Sequence, residues 1–184
     1  ADDSQDCQGL IGTALCIDRY MESERQLQIN KDYYENVIKG ANIGVWEGNL
    51  VTGKVICNER WADMIGYTLA ELEPLTYDAF LNLVHPEDVE RIDVSLENHV
   101  KESGIYEVEF RMLHKMGHWV WVLSRGEVTK FGTDGLPEIV SGIHYDITGR
   151  KANEILLKKY KNLFERSSEA AKIGYWEVDQ EEGT

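Results

Sequence analysis

The chain has 184 residues, and 19 Lys plus Arg stand against 33 Asp plus Glu, a formal charge of −14 at pH 7. A surface of that sign argues against nucleic-acid partners and against contact with an anionic membrane, since both need cationic side chains. Apolar residues are 42 % and charged residues 28 %, the balance of a globular protein, and no apolar run approaches the roughly 20 residues of a membrane span.

In chain order, the first six residues, Ala1-Asp2-Asp3-Ser4-Gln5-Asp6, lack the basic and apolar segments of a leader. A membrane attachment elsewhere in a longer parent stays open. Cys7, Cys16 and Cys57 form no CxxC pair and read as reduced thiols of a cytoplasmic protein. An internal repeat organises the rest. Gly44-Val45-Trp46-Glu47 returns as Gly174-Tyr175-Trp176-Glu177, and Gly12-Thr13-Ala14-Leu15-Cys16-Ile17-Asp18 lies opposite Gly142-Ile143-His144-Tyr145-Asp146-Ile147-Thr148, both at an offset of 130 residues. Tyr34-Glu35-Asn36-Val37-Ile38 matches Tyr160-Lys161-Asn162-Leu163-Phe164 at an offset of 126, a difference of about one helical turn. The repeat predicts the tail of a preceding unit over 1–18, a helical linker over 19–40, one complete unit over 41–148, a second helical linker over 149–172 and the first strand of a following unit over 173–184.

Both linkers carry a seam. Tyr20, Leu27, Tyr34 and Ala41 recur every seven residues, although Glu24 and Lys31 fall between them. Ala152, Leu156, Tyr160, Leu163, Ser167 and Ala170 follow a spacing of three and four. The pattern predicts a homodimer through paired linker helices, with helices folded back onto an exposed sheet face as the alternative.

Within the complete unit, Ile43 to Asn49 reads as a strand and Val51-Thr52-Gly53 as a turn into a short strand, Lys54 to Cys57. Asn58 caps a helix over Glu59 to Ile65 that Gly66 stops. One or two short helices fill Leu69 to Leu83, broken at Pro74. Pro86 opens a longer helix with Val89, Ile92, Leu96 and Val100 on its apolar face, and Gly104 ends it. Tyr106, Val108, Phe110 and Met112 alternate with Glu107, Glu109 and Arg111, so that strand has one buried and one wet face. Lys115-Met116-Gly117 makes a hairpin into Trp119 to Val128, which is apolar on both parities at its start. Gly132-Thr133-Asp134-Gly135 turns into the last strand, Glu138 to Ile147. Two strands, several helices and three consecutive antiparallel strands make an α+β unit with a five-stranded antiparallel sheet and short helices on one face.

The motifs in that unit resemble those of a PAS domain with its C-terminal PAC motif. Gly66-Tyr67-Thr68-Leu69-Ala70-Glu71-Leu72 is similar to the family's "Gly-Tyr-Ser-x-x-Glu-Leu" element, and Val84-His85-Pro86-Glu87-Asp88 to its "His-Pro-Asp-Asp" helix start. Tyr106 to Arg111 and Trp119 to Val122 match its long strands. Gly142-Ile143-His144-Tyr145-Asp146-Ile147-Thr148-Gly149-Arg150-Lys151 resembles "Gly-x-x-x-Asp-Ile-Thr-Glu-Arg-Lys", departing at Gly149, where the family has an acid. The resemblance implies a sensory module of a multidomain signalling protein, flanked by PAS-like neighbours. Its C-terminal effector is expected to be a histidine kinase or, alternatively, a cyclic-dinucleotide enzyme.

Trp46, Trp61, Tyr67, Phe80, Ile92, Leu96, Phe110, Met112 and Trp121 are the candidates to line a ligand pocket in the core. Asp146, Ile147 and Thr148 are the candidate signal junction, where the last strand becomes the exit helix, with the Thr148 hydroxyl expected to cap the first helical turn. No coloured cofactor is expected, with haem and a non-covalently held flavin as the alternatives that the resemblance leaves. Haem would need a ligand such as His99, and covalent flavin photochemistry would need an Asn-Cys-Arg-Phe-Leu-Gln run, whereas Cys57 is followed by Asn58-Glu59-Arg60-Trp61. His114 and His118 flank a hairpin without a third metal ligand, and no phosphate-binding, metalloprotease or serine-hydrolase signature is present. Against the sensory reading stands a ligand-free structural spacer and dimerisation module. A chamber below about 100 Å³ favours the spacer and one of several hundred a ligand sensor.

Overall fold

The computed structural model describes residues 3–102 and 105–181, and the side chains of 19–96 and 105–168. The elements run α1 (Asp3–Ala41), β1 (Gly44–Asn49), β2 (Val55–Cys57), α2 (Glu59–Met64), α3 (Leu69–Leu72), α4 (Tyr77–Leu83), α5 (Pro86–Glu102), β3 (Tyr106–Leu113), β4 (Trp119–Phe131), β5 (Pro137–Asp146) and α6 (Thr148–Glu181). The chain divides into two units, Ala1–Ile43 and Gly44–Thr184.

The first unit is the helix α1. Tyr20, Leu27 and Tyr34 of its predicted seam are exposed, and Glu24 accepts a hydrogen bond from the Tyr20 hydroxyl. Where the repeat placed the end of one unit (1–18) and the first strand of the next (173–184), the chain is helical from Asp3 and up to Glu181, and residues 182–184 lie outside the described residues. A strand satisfies its backbone only beside another strand, whereas a helix closes its own hydrogen bonds.

The second unit is an antiparallel sheet of order β2-β1-β5-β4-β3. Its first and last strands in sequence meet in the middle, so β1 and β5 zip over Gly44–Asn49 opposite His144–Ile139. Local chemistry sets the helices. The Asn58 side chain accepts from the backbone N–H of both Trp61 (3.0 Å) and Val45 (2.9 Å), so one residue caps α2 and ties it to β1. Gly66 stops that helix at φ +78°. Thr68 and Glu71 form a capping box on α3, and Thr76 caps α4.

The inner face of the sheet carries Tyr106, Val108, Phe110 and Met112 of β3, Val120 and Val122 of β4 and Val140 of β5, all buried. Alternation on β3 holds over its whole length. Trp61, Met64 and Ile65 of the α2 segment and Ile92 of α5 close over that face. Phe110 is 1 % exposed, edge-on to Phe80 at 5.9 Å between ring centroids. Replacing it by alanine opens a cavity under α4. Phe110→Ala is expected to cost about 3–5 kcal/mol in urea unfolding of the chain, and a loss below about 1 kcal/mol would contradict the face assignment.

Candidate functional site

The inner face is not completely filled. A chamber of about 60 Å³ lies between the sheet and the helices, lined by residues that include Trp46, Trp61, Tyr77, Phe80, Ile92, Leu96, Phe110, Ser124 and His144. Of the nine candidates, Trp46, Trp61, Phe80, Ile92, Leu96 and Phe110 meet there. Three do not. Met112 is buried farther along β3, beside Val84, which bridges to it. Tyr67 packs at the edge of the core with the Lys115 ammonium 5.5 Å from its ring centroid. Trp121 lies on the opposite face of the sheet, since its neighbours Val120 and Val122 point inward.

Tyr77, Ser124 and His144 complete the wall. His144 is 2 % exposed and surrounded by the rings of Trp46, Trp61, Phe80 and Phe110 at 5.5–6.3 Å. Its parity with Val140 on β5 is the sequence signal that marks it as inward. Burial pushes its imidazole down to about 3, so the ring is neutral at pH 7. The Tyr77 hydroxyl donates to Asp93 at 2.7 Å, and Tyr106 and Ser124 share a hydrogen bond at 3.3 Å. The Trp46 ring lies against Gly142 and Gly126, where an added Cβ would come within 2.7 and 3.2 Å of it. Those two glycines, paired across β4 and β5, are a shelf for the indole.

The junction lies at the end of β5. The Trp121 backbone N–H donates to the Thr148 hydroxyl at 3.0 Å, and the Trp121 carbonyl accepts from Ile147 N–H at 2.8 Å. The expected role of the Thr148 hydroxyl is therefore corrected. It faces back to β4, because Thr148 is itself the first helical residue, and Asp146 Oδ1 takes the Thr148 N–H at 2.9 Å instead. Ile147 is buried between these two contacts. On the outer face the Trp121 ring has Arg111 at 5.4 Å and Lys151 at 5.3 Å. Lys151 also pairs with Glu109 at 2.5 Å, and Arg150 pairs with the same carboxylate. The Lys151 hydrogen bond, against some desolvation, holds the Glu109 carboxyl below its usual range.

Arg111 continues the chain to α5. Its Nε donates to Asp88 Oδ2 at 2.8 Å, and its backbone N–H reaches the same oxygen at 2.9 Å. Burial pushes the Asp88 carboxyl up, but these bonds and the charges of Arg91 and Arg111 win and hold it below the usual carboxylate range.

Cys57 lies on β2, where burial and the nearby charge of Glu73 push its thiol up to about 11, the opposite of an activated nucleophile. His114 and His118 stack at 4.1 Å, and no cluster of three metal-ligating side chains occurs among the described residues. The side chain of His99 lies outside them. No described helix is long and apolar enough to cross a membrane.

The family profile of the PAS fold matches residues 54–144, from the turn before β2 to the buried histidine of β5. The central unit is a PAS domain. Over 134 residues the chain is 31 % identical to a blue-light-activated histidine kinase of Brucella ovis, covering 71 % of this chain and 26 % of that protein. Among solved structures, a sensory box histidine kinase/response regulator from Burkholderia thailandensis superposes with a TM-score of 0.63 at 27 % identity, over 72 % of this chain and 98 % of that one. The domain of a putative light and redox sensing histidine kinase from Haloarcula marismortui does so with a TM-score of 0.50 at 27 % identity, over 58 % and 90 %. The chain spans about a quarter of the length of the curated relatives it matches.

The Asp88–Arg111 pair of this PAS domain makes a prediction with a pH signature. The folded-state pKa of Asp88 is depressed, so its stabilisation is present above the unfolded value of about 4 and is lost as pH falls through the lower folded value. Asp88→Asn is expected to cost about 3 kcal/mol in urea unfolding at pH 7 and distinctly less at pH 3. An equal cost at both pH values would contradict the ion pair as its source.

Proposed function

We propose that this PAS domain is the signal-transducing module of a sensor histidine kinase. It passes the state of its sheet through Asp146, Ile147 and Thr148 into α6, and two copies pair through the linker helices. The observation that carries the reading is the pair of hydrogen bonds from the Trp121 backbone to Ile147 and Thr148. A displacement of β4 moves the start of α6 with it. The relatives' printed names support the choice of a kinase effector, which lies outside this chain, as does any catalytic activity. Leu156, Tyr160 and Leu163 of the α6 seam are exposed, which supports pairing of that helix.

One observation favours the spacer reading. The chamber of about 60 Å³ falls short of the roughly 300–1,000 Å³ of small-molecule sites. It does not fit a flavin or a haem, and Cys57 does not fit flavin–thiol chemistry. The purified chain is therefore expected to show no flavin or haem absorption, and a near-stoichiometric band of either would contradict this.

The junction is tested in the parent kinase. Thr148→Val removes the acceptor of the Trp121 N–H at nearly constant shape, and Asp146→Ala removes the acceptor of the Thr148 N–H. Each is expected to change basal autophosphorylation at least threefold, while the melting temperature of the domain falls only a few degrees, on the order of 1–2 kcal/mol. Unchanged output in both, or altered output only in variants that unfold, would support the spacer.

A further inference from the structure

Three residues that line the chamber each carry a buried nitrogen with no partner among the described residues: the indole Nε1 of Trp46, the indole Nε1 of Trp61 and Nδ1 of His144. The other polar groups of its wall are engaged, Tyr77 with Asp93 and Tyr106 with Ser124. Each unsatisfied buried group costs roughly 1–3 kcal/mol, and a core built only for rigidity avoids that by using Phe or Leu. Two features then define an occupant. The indoles are obligate donors, and a neutral imidazole offers an acceptor nitrogen. An apolar cavity of about 150 Å³ holds the six heavy atoms of benzene, so one of about 60 Å³ holds roughly two to three.

We propose that the chamber binds a one-carbon carboxylic acid, formic acid, together with its proton, the indole N–H groups of Trp46 and Trp61 donating to the acid's oxygens and His144 receiving its O–H. This rests on the sensory reading above and names its ligand class. At neutral pH the free ligand is a carboxylate and the empty chamber holds neutral His144, so binding takes up one proton from solution. That proton is shared between the carboxyl oxygen and Nδ1, and the pair stays neutral overall. The groups facing His144 allow this. Tyr106 from β3 and Tyr77 from α4 are both held well above the usual phenol range, chiefly by burial, Ser124 comes from β4, and no Asp, Glu, Lys or Arg occurs among the described residues that line the chamber.

The test follows the five Trp indole N–H signals of the whole ¹⁵N-labelled chain by NMR. Trp46→Phe and Trp61→Phe assign two of them. Sodium formate and then sodium acetate are titrated to about 100 mM, with sodium chloride at the same ionic strength as reference. The Trp46 and Trp61 signals are expected to shift saturably with formate, only more weakly with the larger acetate and not with chloride, the formate binding about tenfold more tightly at pH 6 than at pH 7, as uptake of one proton requires. His144→Phe, which fills the same place without an acceptor, is expected to weaken binding at least tenfold while the indole signals of Trp119 and Trp121, assigned by their own Phe variants, report an intact fold. Should that variant not fold, loss of the Trp61 shift in Trp46→Phe is read in its place. No shift with either acid, as when water alone fills the chamber, would overturn the proposal, as would equal shifts with chloride, pH-independent affinity or unchanged binding in the folded variants. The readout does not involve kinase output, so failure here and failure of the junction are separate results.

Discussion

Both backbone hydrogen-bonding groups of one residue, Trp121, are committed to the residues at which the sheet ends and α6 begins. The bond from Ile147 extends the β4–β5 ladder one step beyond Asp146, and the bond to Thr148 fixes the first residue of the helix. The two are a short lever between a core strand and the exit helix. The ion pairs on the outer face are partly exposed and contribute modestly to stability. Their placement matters more. Asp88, Arg111, the Trp121 ring, Lys151 and Glu109 form a continuous series from α5 across β3 and β4 to α6. Contiguity alone is not coupling. The series is the physical route by which a shift of α5 against the sheet would be felt at the same junction.

The chamber lies on the other face of the same strands. His144 is two residues before Asp146 and is paired with Ser124, itself three residues from Trp121. A change in what His144 touches therefore acts on the last two pairs of the ladder. The small volume of the chamber follows from its walls. The glycine shelf brings the Trp46 indole close to the sheet, and the Trp61 and Phe80 rings occupy much of the remaining space. A domain with those rings has room for a few atoms, which turns attention from large cofactors to small polar molecules.

Most of the fold was legible in the sequence because its signals are local. The alternation Tyr106, Val108, Phe110, Met112, the Asn58 cap, the Gly66 stop and Pro86 at the helix start each determine an element through backbone chemistry. Site residues were legible only in part. Trp119 to Val122 is apolar on both parities, and periodicity cannot say which face is core when a cation from another element covers the outer one, as Lys151 covers Trp121. Alternation puts Met112 on the right face but carries no information along the strand, so it does not separate Met112 from the residues at the chamber. His144 stands in the sequence as a motif position, and its burial becomes visible only by counting parity from Val140. The residue type of Thr148 favours a cap, yet a partner 27 residues away in sequence takes the hydroxyl.

Amide hydrogen exchange at Trp121 and Ile147 tests the link from chamber to helix most directly. The comparison is the native chain against His144→Phe, which changes the chamber while leaving the junction residues intact. Protection of these two amides is expected to change at least tenfold while that of Asn49 and Leu50, at the far end of the sheet, stays the same. Equal exchange in the two proteins, or a uniform change across the sheet, would contradict it.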